Sequence, residues 1–145
     1  MKKTLWILTC CLAAQLASAQ APKWADKARK AVFSVVTYDK NNQIKGTGNG
    51  VYIDAKGIAL SDYSLFEGAE RAVIINADGK QLDVNRIMGA NSMYDVVKFN
   101  TPIDKKQMTL NVAIQPAKVG ETVYLLPYST QKATTVQTGK VTAVD

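Results

Sequence analysis

The chain has 145 residues and no histidine, and its only two cysteines lie within the first eleven residues. Its 18 basic residues exceed its 12 acidic ones, but they are scattered and only three are arginine, so no concentrated basic face for nucleic acid is present. The composition excludes a histidine base and a histidine-held metal, and it excludes a cysteine nucleophile once the N-terminus is removed.

The first nineteen residues have the pattern of a signal peptide. Lys2 and Lys3 precede a short apolar run from Leu5 to Leu16, and Ala17-Ser18-Ala19 has the small side chains of a signal peptidase site. We therefore expect residues 1–19, with both cysteines, to be removed on export to the periplasm or the medium. No later stretch is apolar over a membrane-spanning length, which predicts no membrane span.

The mature chain is predicted to begin with one short helix. Pro22 suits a first helical position, and apolar residues recur at helical spacing from Trp24 to Val32. We place this helix and its linker in residues 20–33 and a β domain in residues 34–145.

From Phe33 onward, β-branched and aromatic runs alternate with turn residues, which predicts an antiparallel sandwich or barrel of about seven strands. Asp78-Gly79 is a hairpin signal, and Gly57 stands where a tight turn needs a positive φ. The glycines at 46, 48 and 50 precede no helix, so they favour close strand approach over a phosphate loop. The nine stretches with strand character, from which these strands would form, are Phe33–Tyr38, Thr47–Asp54, Ile58–Ser61, Ala72–Asn76, Gln81–Met88, Tyr94–Phe99, Val112–Ile114, Glu121–Tyr128 and Thr134–Val144.

Four parts of this pattern resemble a known family. They are Gly46–Ser61 with its G-x-G-x-G start, Glu67-Gly68-Ala69, the hairpin at Asp78-Gly79 with the Tyr94–Phe99 strand, and the segments Val119–Val123 and Gly139–Val144. In this order they resemble the first β-barrel of the trypsin-like serine proteases, most closely the bacterial HtrA/Deg type. The resemblance implies an all-β fold, a trypsin-like antiparallel barrel with a short N-terminal helix. Because the strand pattern runs to Asp145, we expect the second barrel to lie beyond it.

The resemblance also implies where the catalytic groups would stand. The family's catalytic histidine position falls on Ser64, and Asp95 matches the aspartate that orients that histidine. A serine hydroxyl cannot replace an imidazole as a proton carrier, and the nucleophile loop of a second barrel is not in this chain. The sequence therefore assigns no catalytic residue, cofactor or metal.

The favoured hypothesis is a catalytically inactive, protease-related domain of an exported protein. It would bind a peptide or protein segment by strand addition, or act as a scaffold, with further domains of the same chain and no nucleic acid as partner. The alternative is the first half of a serine-type hydrolase whose nucleophile lies beyond residue 145 and whose base is unconventional.

Smaller alternatives concern single residues. A nucleophilic Ser64 would need an activating lysine, for which Lys98 is the candidate, and simple replacement of the histidine is favoured. For Asp95, a relic that caps a turn or binds backbone amides is favoured over a retained functional acid. Phe66 is expected in the core, whereas the position of Tyr63 is left open.

Overall fold

The computed structural model describes residues 22–103, 107–130 and 136–144. The predicted signal peptide and both cysteines lie outside the described residues. The described chain is predominantly β: seven antiparallel strands form one curled sheet, and two more form a separate sheet. The all-β prediction is therefore confirmed at this level, as a half-barrel with few helices.

The N-terminal helix is shorter than the sequence predicts. Helix α1 spans Ala25–Ala28 and continues as a 3-10 turn over Arg29–Ala31. Pro22 lies before it, where its carbonyl oxygen accepts a hydrogen bond from the Ala25 N–H at 2.8 Å. A helix this short is not stable by itself, and the burial of Ala25, Ala28 and Ala31 stabilises it against the rest of the chain.

The strands are short, and all neighbours are antiparallel. They are β1 Val32–Tyr38, β2 Ile44–Tyr52, β3 Ile58–Ser61, β4 Arg71–Ile75, β5 Gln81–Asp83, β6 Arg86–Asn91, β7 Val96–Asn100, β8 Thr122–Leu125 and β9 Gln137–Lys140, with helix α2 at Tyr63–Phe66 between β3 and β4. The spatial order of the large sheet is β5-β4-β1-β2-β3-β7-β6, and β8 pairs with β9. The register of β6 on β7 shifts between Ile87 and Gly89, a bulge at Met88.

The predicted strand Gln81–Met88 is in fact two strands that meet at a corner. Strands β5 and β6 lie at opposite edges of the sheet, yet only Val84 and Asn85 separate them in sequence. So short a link spans about 11 Å at most, so the two edges must approach each other. The Val84 N–H donates to the Ala72 carbonyl of β4 at 3.0 Å, and the Asn85 N–H donates to the Asn100 carbonyl of β7 at 2.9 Å. These bonds curl the sheet.

The hydrophobic core fills the inside of the curl. The Phe33 ring packs edge-on against Tyr52 at 4.7 Å and against Phe99 at 6.1 Å between centroids. A Cβ at Gly50 would overlap the Phe33 ring and lie 2.8 Å from the Leu60 carbonyl oxygen. The predicted close approach of strands at this glycine is therefore confirmed.

The C-terminal third differs from the sequence prediction. Residues 112–114 form no strand, because no described segment pairs with them and their side chains stay in solvent. The last two predicted strands shrink to β8 and β9, and residues 131–135 lie outside the described part. None of the described residues between 107 and 144 is buried.

The buried Tyr52 hydroxyl predicts an alkaline limit on stability. Burial raises the pKa of Tyr52 above its ordinary value of 10.0, and the hydrogen bond with the Thr101 hydroxyl at 3.4 Å offsets part of the rise. A tyrosine with a raised folded-state pKa contributes stability that is complete below pH 10 and is lost as the pH rises through that pKa. We expect the urea unfolding free energy of the wild type to fall above this pH, and that of Tyr52→Phe to fall less steeply.

The wild type and Tyr52→Phe should be compared both at neutral pH and above pH 10. At neutral pH, Tyr52→Phe should cost about 1 to 3 kcal/mol, because it takes this hydrogen bond from the buried Thr101 hydroxyl. If the unfolding free energies of both proteins fell equally steeply with pH in the alkaline range, groups other than Tyr52 would be responsible for the loss of stability.

Candidate functional site

The structure places Ser64 and Asp95 side by side, although they are 31 residues apart in sequence. The Asp95 Oδ1 atom accepts a hydrogen bond from the Ser64 backbone N–H at 2.6 Å. The Asp95 Oδ2 atom accepts another from the Ser64 hydroxyl at 3.0 Å. The two positions that the resemblance assigns to base and acid are thus joined by two hydrogen bonds.

Asp95 is held in place by the turn between β6 and β7. It directly precedes β7 and has a φ of 51°, a left-handed conformation that aspartate tolerates better than most residues. The Asn91 side-chain oxygen accepts a hydrogen bond from the Tyr94 N–H at 3.1 Å, which fixes the turn. The Asp95 carbonyl also accepts from the Tyr63 N–H at 3.1 Å.

Asp95 therefore caps helix α2 from another part of the chain. The residue before the helix, Asp62, makes no side-chain capping bond. The free N–H groups of Tyr63 and Ser64 are satisfied instead by the carbonyl and the carboxylate of Asp95. An aspartate that accepts such bonds stabilises a helix start by about 1 kcal/mol.

The opposite side of α2 packs on the half-barrel. Phe66 lies with its ring centroid 5.2 Å from that of the core residue Phe99. Leu65 lies so close to β2 that a Cβ at Gly48 would overlap its side chain. Tyr63 is partly buried against the core as well. The sequence prediction for Phe66 is confirmed in part, since the ring contacts the core but is only half-buried.

The chemistry open to this pair is limited. Both side chains are exposed, and the Ser64 hydroxyl donates to the carboxylate, which is too weak a base to remove a serine proton at neutral pH. Lys98 lies opposite Leu60 in the β3–β7 pairing, and no hydrogen bond joins it to Ser64 among the described residues. The arrangement can orient groups and accept hydrogen bonds, but it contains no proton carrier.

Neither a metal centre nor a membrane-crossing helix is found in the described ranges. There, histidine, cysteine, aspartate and glutamate side chains nowhere form a group of three that could hold a metal ion. No helix formed by residues 22–103, 107–130 or 136–144 has the length and apolarity needed to cross a membrane.

Sequence reasoning missed an open pocket of about 220 Å³ beside the corner between β5 and β6. We call it the seam pocket, because it lies where the edges of β4 and β6 move apart. Its apolar walls are Phe66, Ala69, Ala72, Val84 and Ile87. The sequence signal for this pocket is the break between two strands at Val84 and Asn85. This break is missed when Gln81–Met88 is predicted as one strand.

The chain matches no known protein-family model, and no curated protein is significantly similar to it.

Proposed function

We propose that the chain is a catalytically inactive domain related to the trypsin-like serine proteases, from an exported protein, and that it binds extended peptide or protein segments by strand addition. Its exported form would begin after residue 19, with residues 20–33 as helix and linker and residues 34–145 as the first barrel. A second barrel in the same chain is part of this proposal.

The pairing of Ser64 with Asp95 is the observation that carries the proposal. The resemblance alone nominates these two residues as the positions of base and acid. Their two hydrogen bonds of 2.6 and 3.0 Å are the contacts expected if these positions once formed a base–acid pair. The curled antiparallel sheet supports the same interpretation.

Inactivity follows from the groups at this position. A serine protease needs a base that takes the nucleophile's proton and returns it to the leaving amine, and a hydroxyl bound to a carboxylate does neither. Loss of one triad member lowers the rate by about a thousandfold or more. Within residues 22–103, 107–130 and 136–144, no lysine or other base besides the Asp95 carboxylate contacts Ser64 to support the alternative of an enzyme with an unconventional base.

Peptide binding is assigned to the free edge of β6. All six residues of this strand are exposed, and apart from the β7 pairing and the Asn85 bond beside it, no backbone hydrogen bond ties it to other described residues. Its side chains include only one charge, Arg86, and no proline, so few of the devices that block edge pairing are present. An extended peptide that pairs there would lead toward the turn that carries Asp95.

A titration followed by NMR tests the proposal. We expect the acetylated, amidated heptapeptide TVTLTVT to shift the backbone amide signals of β6, from Gly89 to Asn91, and to be recovered intact. Met88→Lys should weaken binding about tenfold, because a lysine on an edge strand opposes pairing. Val123→Lys on β8 is the matched control, since Val123 is 42% exposed and Met88 is 47% exposed. Cleavage of the peptide, or binding that leaves the β6 signals unchanged, would contradict the proposal.

A further inference from the structure

The seam pocket offers a place for one side chain of a bound segment. Strand β4 pairs with β5 only over Val73–Ile75, and the Val84 N–H to Ala72 carbonyl bond is the last one between these edges. Beyond it lies the pocket, which is lined both by Ala72 of β4 and by Ile87 of β6. The pocket therefore opens beside the same strand edge that the proposed function uses.

The inner wall of the pocket is apolar. Phe66 forms part of it, and its ring packs against the buried Phe99 ring at 5.2 Å between centroids and an interplanar angle of 39°. Ala72 is 8% exposed and pairs with Thr37 of β1. The small side chains of Ala69 and Ala72 leave the space unfilled, and a pocket of about 220 Å³ exceeds the roughly 150 Å³ cavity that accommodates a benzene molecule.

The charges around the pocket do not favour a charged ligand. Arg71 lies 3.5 Å from the Asp83 carboxylate, donates to the Asn42 side chain at 3.3 Å and covers the Tyr38 ring. The remaining charged lining residues, Glu70 and Arg86, have opposite signs. The charges of these two residues sum to zero, so contact with the apolar wall determines which side chain binds most tightly in the pocket.

We propose that the seam pocket binds a branched or long aliphatic side chain, of leucine, isoleucine or methionine size, from an extended segment paired with β6. This inference rests on the proposed strand addition, and it names the class of segment that this site selects. Arg86 and Ile87 belong both to β6 and to the pocket wall, so a strand paired with β6 passes directly over the opening. Alternate side chains of that strand point toward the half-barrel, and one of them enters the pocket.

Two peptides and two variants test the inference. We expect TVTLTVT to bind about tenfold tighter than TVTGTVT, the ratio expected for partial burial of one leucine side chain. Ala69→Leu fills the pocket and should remove this preference while the β6 signals still shift. Ala77→Leu is the matched control, because Ala77 is also half-buried but lies in the β4–β5 hairpin turn, and the preference should persist.

The outcomes separate the two proposals. Equal affinity of both peptides for the wild type, with β6 signals still shifting, would overturn the pocket inference and leave strand addition standing. Persistence of the leucine preference in Ala69→Leu would overturn it too. Absence of any shift at β6 with either peptide would overturn strand addition and, with it, the pocket inference.

Discussion

Gly57→Ala is expected to destabilise the fold by about 3 kcal/mol or more, the largest loss we predict for a single methyl group. Gly57 has a φ of 89° in the turn between β2 and β3. A Cβ at this residue would overlap the carbonyl oxygen of Thr101, a backbone atom that cannot move aside as a flexible side chain would. The same turn is tied by the hydrogen bond from the Thr101 N–H to the Gly57 carbonyl at 3.0 Å, so neither segment can retreat without losing it.

Gly79→Ala is the matched control for this prediction. Gly79 has a φ of 78°, but a Cβ there would meet no atom within 4 Å. It should therefore show only the conformational cost, about 1 to 2 kcal/mol. Urea unfolding of the wild type and both variants at neutral pH measures the difference. Equal losses at the two glycines would mean that the contact with Thr101 contributes nothing.

The local features of this fold could be predicted from the sequence because neighbouring residues determine them. Gly57 has the predicted positive φ, the Asp78-Gly79 signal lies in a hairpin between β4 and β5, and β3 has the predicted ends Ile58 and Ser61. The prediction of one continuous strand over Gln81–Met88 was wrong, because its interruption depends on hydrogen bonds to Ala72 and Asn100, which are distant in sequence. Residues 112–114 include suitable β-branched side chains, but no segment among the described residues pairs with them, as a strand requires.

In the candidate site as well, the positions of residues could be predicted, whereas the contacts between segments distant in sequence could not. The resemblance located Ser64 and Asp95, but it could not show that Asp95 caps α2, because that depends on the left-handed conformation of Asp95 and on where α2 packs. The seam pocket could not be predicted, because the interruption at Val84 and Asn85 that marks it was placed inside one continuous strand. It arises from the separation of two sheet edges beyond the corner at Val84, a property of the curl.

Asp95 stabilises the fold whether or not the site has catalytic activity. Its carbonyl and carboxylate satisfy the first two N–H groups of α2, and α2 in turn packs Phe66 against the core. A carboxylate that began as the partner of a base would therefore be retained for stability after the base was lost. The Ser64 hydroxyl adds a second bond to the Asp95 carboxylate at 3.0 Å, so the side chain at position 64 faces this carboxylate.

That interpretation predicts the behaviour of an imidazole introduced by Ser64→His. Because the chain has no histidine, its NMR signals would report this one group alone. We expect its pKa to lie about one unit above the usual value of about 6.5, since a carboxylate within hydrogen-bond distance favours the protonated form. This corresponds to a roughly tenfold higher proton affinity.

Asp95→Asn in the Ser64→His background supplies the control. Asparagine tolerates the left-handed conformation and keeps an oxygen that can accept the backbone bond, but it removes the charge. The pKa of the introduced imidazole should then return to about 6.5. A pKa that Asp95→Asn does not change would show that position 64 does not face the carboxylate as a catalytic base would, and the relation to trypsin-like proteases would lose its main support. The Ser64→His variant should still leave peptides intact, because an oriented base without a nucleophile completes only part of the machinery.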